Sequence, residues 1–119
     1  MVEIGGELRV NGTKAKGKPW MLGVEKPSLM HAGAVQAIRI GNAAVATSGD
    51  YRNFYEVNGE RFSHTISPLT GRPVTHNLAS VTLVAPTAAL ADALATALNV
   101  MGPEPVSYTH LTLPTILLV

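Results

Sequence analysis

The chain has no cysteine, so disulfides, thiolate zinc sites and cysteine nucleophiles are excluded. Charge is scarce. Asp, Glu, Lys and Arg make up 14% of the 119 residues, against 46% hydrophobic. That balance supports a packed core and argues against a disordered chain. The nine basic residues are scattered, and no stretch has the density of a nucleic-acid or anionic-lipid surface. No apolar run reaches about 18 residues, the length that spans a bilayer as a helix. No basic region followed by an apolar run occurs at the N-terminus, so no signal peptide lies within this chain. There is also no GxGxxG, P-loop or HExxH, and no glycine-flanked serine elbow to suggest a hydrolase triad.

What is present reads as short strands and one helix. Met1 to Gly6 looks like the middle of a strand entering a turn, which leads us to expect further chain before it. Glu7 to Val10 alternates polar and apolar and ends at Asn11-Gly12. Thr13 to Lys18 is an exposed loop by composition, and Pro19 to Val24 is a second strand. Val35 to Ile40 is expected to point Val35, Ala37 and either Ile38 or Ile40 inward, with Ala43 to Thr47 returning beside it. Asn58-Gly59 between Arg52–Val57 and Glu60–Thr65 is a strong hairpin signal, because both central residues of a type I′ turn need positive φ. Ser80 to Ala85 is almost wholly apolar and β-branched, as in a central strand. Thr87 caps a helix in which Leu90, Leu94, Leu98 and Met101 recur at helical spacing, with Leu90, Leu94 and Leu98 expected to face the sheet, and Gly102-Pro103 ends it. The expected class is α+β, a largely antiparallel mixed sheet with hairpins and one long C-terminal helix.

Residues 106–119 break this pattern. Val106 to Thr115 can be back-translated into an adapter sequence common in transposase-based DNA libraries. The expectation is a folded part over 1–105 and a non-native tail over 106–119 that packs poorly against it, the alternative being a genuine apolar C-terminal strand.

Four features could carry chemistry. Asp92 is the only charge in the helix, and Thr96 and Asn99 share its stripe. Such a stripe serves as a solvated face or as hard oxygen ligands for Mg²⁺. Thr47-Ser48-Gly49-Asp50-Tyr51 follows a strand. Such a turn presents N–H groups to a phosphate, borders a flavin, or simply ends the strand. His64 ends another strand before a Pro/Gly loop, as a general base or as a structural residue. Gly5-Gly6 permits close approach of a backbone or a ligand. His31 and His76 have no partner evident from spacing.

The order of these pieces is more specific than any one of them. GGE at Gly5–Glu7, PW-x-x-G-V from Pro19, ATSGDY at Ala46–Tyr51, His64 followed by P-x-TG-x-P, SVTLVAPTA from Ser80 and ADALATAL at Ala91–Leu98 together resemble the ApbE-type FAD:protein FMN transferases. The resemblance covers Val2 to about Gly102. It implies that the chain is the C-terminal portion of a larger, T-fold-like domain. It implies a Mg²⁺-dependent enzyme that moves FMN from FAD to a threonine hydroxyl of an acceptor protein, such as a redox-pump subunit, and releases AMP. The same architecture would also suit an FAD pyrophosphatase yielding FMN and AMP, or a non-catalytic flavin-binding module. By position, the resemblance assigns metal ligation to Asp92 and Thr96, with the Ala95 carbonyl beside them. It assigns catalysis to His64 and FAD contact to Ile66, and the turn Ser48, Gly49, Asp50 is the further cofactor-binding segment. Ser67 stands where the family has Asp before proline, and Leu69 where a basic residue is frequent. Both departures bear on loop placement and phosphate contacts. Family members are often exported to the periplasm or anchored at the inner membrane of bacteria through an N-terminal segment. Nucleic acid is not an expected partner.

Overall fold

The structure is a computed structural model, and it describes residues 1–26, 33–49, 54–104 and 115–118. Its centre is a five-stranded antiparallel sheet. The strands are β1 (Val2–Ile4), β2 (Glu7–Val10), β5 (Ala43–Gly49), β8 (Ser80–Ala85) and β9 (Thr115–Leu118), in that spatial order. Two hairpins stand outside it: β3 (Trp20–Glu25) with β4 (Ala34–Ile40), and β6 (Phe54–Val57) with β7 (Glu60–Ser63). One helix, α1 (Ala88–Met101), follows β8 directly.

β8 is an interior strand, as its composition predicts. It pairs with β5 over Ser80–Ala85 and with β9 over Val81–Val84, and five of its six residues are buried. A strand buried on both faces needs apolar side chains on both. Val81, Leu83 and Ala85 meet Ala44, Ala46, Ala91, Ala95 and Leu98 on the helix side. Val84 turns the other way, with Val10, Ile40 and Val45, and there the β3–β4 hairpin supplies Trp20, Leu22 and Ile38. The molecule is thus layered, with α1 on one face of the sheet and the hairpin on the other.

Four expectations are corrected here. Ala43–Gly49 does not return beside Ala34–Ile40: β4 pairs with β3, whereas β5 pairs with β2 and β8 in the main sheet. The Val35 side chain lies outside the described residues. Thr115–Leu118 does not stand apart: it pairs with β8, Leu83 opposite Ile116. A buried strand exposes a second row of N–H and C=O groups, and an apolar segment able to pair with them satisfies that edge. In β4 the inward residues are Ile38 and Ile40, whereas Ala37 is exposed. Strand alternation puts residues two apart on one face, and the larger isoleucines take the buried one. In α1 the buried residues are Ala91, Ala95, Leu98 and Asn99, with Leu94 at the margin and Leu90 41% exposed. Small alanines at 91 and 95 let the helix lie close to the sheet, so that of the leucine repeat only Leu98 is buried.

Other sequence signals hold. The Asn58-Gly59 turn has φ of 53° and 80°, as a type I′ turn requires. The Thr87 hydroxyl accepts from the Leu90 amide at 3.3 Å, and Gly102 (φ 80°) closes the helix with its N–H on the Leu98 carbonyl. Among the described residues, no helix is long and apolar enough to cross a membrane.

Candidate functional site

Helix α1 carries the first part of the site. Because α1 buries Ala91, Ala95 and Leu98 against the sheet, Asp92 and Thr96 are left exposed, one turn apart on a common stripe. Asn99 does not share that exposure. It is 2% exposed, and its Oδ1 has no hydrogen-bond partner. Ala95 is fully buried; its side chain belongs to the core, so only its carbonyl oxygen could be offered to a ligand.

The end of β5 supplies the second part. Ser48 Oγ lies 3.0 Å from Thr96 Oγ1, which brings the segment flagged in the sequence onto the helix stripe although 48 residues separate the two. Gly49 is required at this corner. A Cβ there would lie 2.6 Å from the Ala79 carbonyl oxygen and 2.9 Å from Ser80 Cβ, so only glycine lets β5 run this close to the start of β8. Asp50 and Tyr51 lie outside the described residues.

Pairing of β2 with β5 sets Leu8 opposite Val45, so the Gly5-Gly6 turn sits at the same end of the sheet as Ser48-Gly49. On the hairpin side of that end is an open cleft of about 590 Å³, bordered by Gly5, Gly6, Gly23 and Gly49. Thr47 and Thr82, whose hydroxyls are 2.8 Å apart, also line it. Its size is that of a cofactor pocket, and its glycine rim leaves backbone within reach of a ligand.

His64 follows β7 directly and is exposed. The loop after it is a closed hairpin. Ile66 pairs with Pro73, the Val74 N–H donates to the Thr65 carbonyl at 3.0 Å, and Ser67 exchanges backbone bonds with Gly71 and Arg72. Ile66 is 49% exposed, and Leu69, at the tip, is 94% exposed. Ser67 therefore has a backbone role in the turn that does not depend on its side chain. The β6–β7 hairpin forms a sheet of its own, with Tyr55 stacked on Phe62 at 5.5 Å between ring centres. His64 thus stands on a separate element from Asp92, Thr96 and Ser48.

The donor set can be tested against Mg²⁺. Among the described residues no group of three His, Cys, Asp or Glu side chains could hold a metal ion. The Asp92 carboxylate and Thr96 hydroxyl are hard oxygen donors on an exposed face, with the Ser48 hydroxyl beside Thr96. One carboxylate with hydroxyl neighbours suits a cation that keeps waters and phosphate oxygens as its other ligands, as Mg²⁺ does.

Sequence reasoning missed two elements here, the Thr47–Thr82 pair and His76. The His76 ring contacts Asn99, 23 residues away, with Nε2 2.6 Å from its carbonyl oxygen. No partner for His76 is evident from spacing, so nothing in the sequence signals its return toward the helix end.

A model described as the ApbE family matches residues 1–111, and the chain belongs to that family. An FAD:protein FMN transferase of Haemophilus influenzae is 50% identical over 105 residues, covering 87% of this chain and 30% of that protein. The one from Escherichia coli K12 is 46% identical over 104 residues, covering 87% and 30%. Among solved structures, the ApbE protein of Thermotoga maritima superimposes with a TM-score of 0.74 at 41% identity, covering 83% of this chain and 31% of that one. The apo form of the Pseudomonas stutzeri flavinyl transferase ApbE gives 0.70 at 43% identity, with 86% and 31% covered. The chain thus spans about a third of the length of the relatives it matches.

Proposed function

We propose that this chain contributes the metal-binding stripe and the catalytic histidine of an FAD:protein FMN transferase. The contact between Ser48 and Thr96 carries the reading. It joins the two most specific motifs of the chain at one corner of the sheet, and a glycine-rimmed cleft of cofactor size opens at the same end on the opposite, hairpin face. The relatives' shared name supports the same activity.

In this reading the hydroxyl oxygen of an acceptor threonine attacks the FMN-side phosphorus of FAD. A new P–O bond forms, the bond to the bridging pyrophosphate oxygen breaks, and AMP leaves with that electron pair. His64 accepts the threonine proton, a contribution of roughly 10²–10⁴-fold in rate. Asp92 and Thr96 would hold Mg²⁺, whose charge would offset that of the pyrophosphate and the leaving AMP. Ser48 orients the Thr96 hydroxyl, and the backbone of Gly49 borders the substrate. Ile66, half-exposed on the closed loop, offers an apolar contact to FAD. The acceptor is a protein bearing a threonine target, of the redox-pump subunit type. We place the whole protein on the periplasmic side of a bacterial inner membrane.

The test is a graft. Residues 1–105 replace the matching segment of the Haemophilus relative, and the product is incubated with FAD, Mg²⁺ and a threonine-bearing acceptor. Acceptor mass increased by FMN, with AMP released, is expected. Free FMN alone would indicate hydrolysis, and unchanged FAD would indicate a carrier. Either outcome overturns the proposal.

A further inference from the structure

The helix that bears Asp92 and Thr96 is held at its C-terminal end by a residue outside it. An α-helix leaves its last carbonyl groups without intrahelical donors, and α1 has no basic side chain in its last turn to serve them. Two contacts take over. The Gly102 N–H donates to the Leu98 carbonyl at 3.2 Å. The His76 ring, from the stretch leading into β8, reaches the Asn99 carbonyl with Nε2 at 2.6 Å.

The second ring nitrogen defines the chemistry. The Leu78 N–H donates to His76 Nδ1 at 3.3 Å, so Nδ1 is an acceptor and carries no proton. The proton then sits on Nε2, which donates to the Asn99 carbonyl. Both nitrogens are engaged, so His76 has no lone pair to offer a metal or a substrate proton. The ring also fills the space that Gly102 leaves open. A Cβ at Gly102 would lie 2.7 Å from His76 Cδ2. The surroundings are tight, with Leu78, Leu98 and Asn99 all buried.

We propose that His76 is a positioning residue for the site. Its neutral ring latches the last turn of α1 to the entry of β8, and this sets how the helix lies on β5. Asn99 is three residues beyond Thr96, on the next turn. A shift of that turn is transmitted along a rigid helix to the Ser48–Thr96 contact and to Asp92. The link to metal binding rests on the function proposed above; the latch itself does not.

The experiment uses the full chain and two variants. His76→Phe keeps a ring against Gly102 but removes both nitrogens. His76→Gln keeps a side-chain donor. In the unaltered protein, ¹⁵N spectra of the imidazole should show the Nε2–H tautomer; an Nδ1–H or doubly protonated ring overturns the proposal even if a variant fails to fold. His76→Phe should speed amide exchange at Gly102 at least tenfold and shift the Ser48 and Thr96 resonances. His76→Gln should restore both. Unchanged exchange and unchanged Ser48 and Thr96 signals in His76→Phe would overturn the latch. Titration with Mg²⁺ alone, followed at the Asp92 and Thr96 amides, should be about tenfold weaker in His76→Phe and recover in His76→Gln. If the unaltered chain shows no Mg²⁺ response, the metal reading fails and the exchange result still decides the latch.

Discussion

Ser48 Oγ and Thr96 Oγ1 stand 3.0 Å apart and join the end of β5 to the exposed stripe of α1. The pair is a meeting point between a strand on the sheet and a helix above it. It aligns the Thr96 hydroxyl at the corner where the Gly5-Gly6 turn and Gly49 also lie.

A double-mutant cycle measures that link. Ser48→Ala and Thr96→Val should each cost about 0.5–1.5 kcal/mol, the worth of one hydrogen bond. Because the two share a single contact, the double variant should cost less than the sum. Urea unfolding of the four proteins supplies the comparison, and strict additivity would mean that the contact contributes nothing.

Asp92→Ala should separate chemistry from folding. Asp92 is exposed and lies on the side of α1 away from the core, so its loss should change stability by no more than about 0.5 kcal/mol. In the grafted enzyme, FMN transfer should nevertheless fall to background. Thermal melting beside the transfer assay checks both halves. A variant that transfers at the original rate refutes the ligand role.

His64→Asn removes a base without removing bulk from an exposed position. Transfer should slow by roughly 10²–10⁴-fold, while the melting midpoint holds and FAD binding persists. Retained rate with the asparagine would show that the acceptor proton leaves by another route.

Gly49→Ala tests the corner by sterics alone. The added methyl would sit 2.6 Å from the Ala79 carbonyl oxygen and 2.9 Å from Ser80 Cβ, and neither is the far end of a flexible side chain. Relief requires a backbone shift between β5 and β8, at a cost of about 1–3 kcal/mol. Denaturant unfolding should register that loss, and no change in midpoint would mean that the strands separate there without strain.

Local chemistry made much of this fold legible in the sequence. Asn58-Gly59 specifies its turn through the positive φ both residues tolerate. Thr87 and Gly102 bracket α1 because one supplies a cap oxygen and the other a left-handed backbone. Ser80–Ala85 announces a buried strand because nearly every side chain is apolar. Asp92 and Thr96 could be placed on one stripe from helical spacing, and the family was readable from the order of its motifs. Each of these signals depends on residues within a few positions of one another.

Contacts between distant segments were not legible in this way. The sequence did not reveal that Asn99, on the same stripe as Asp92, turns inward while Asp92 stays in solvent. That depends on where the sheet lies beneath the helix, and the alanines at 91 and 95 let it lie close. Nor did it show that His76 meets Asn99, or that Thr115–Leu118 completes β8. A ring nitrogen and a helix carbonyl carry no mark of each other until the chain folds back. An unsatisfied strand edge accepts whichever segment can pair with it. Periodicity and turn chemistry determined the elements, and packing against a shared sheet decided which of their faces became core, latch and site.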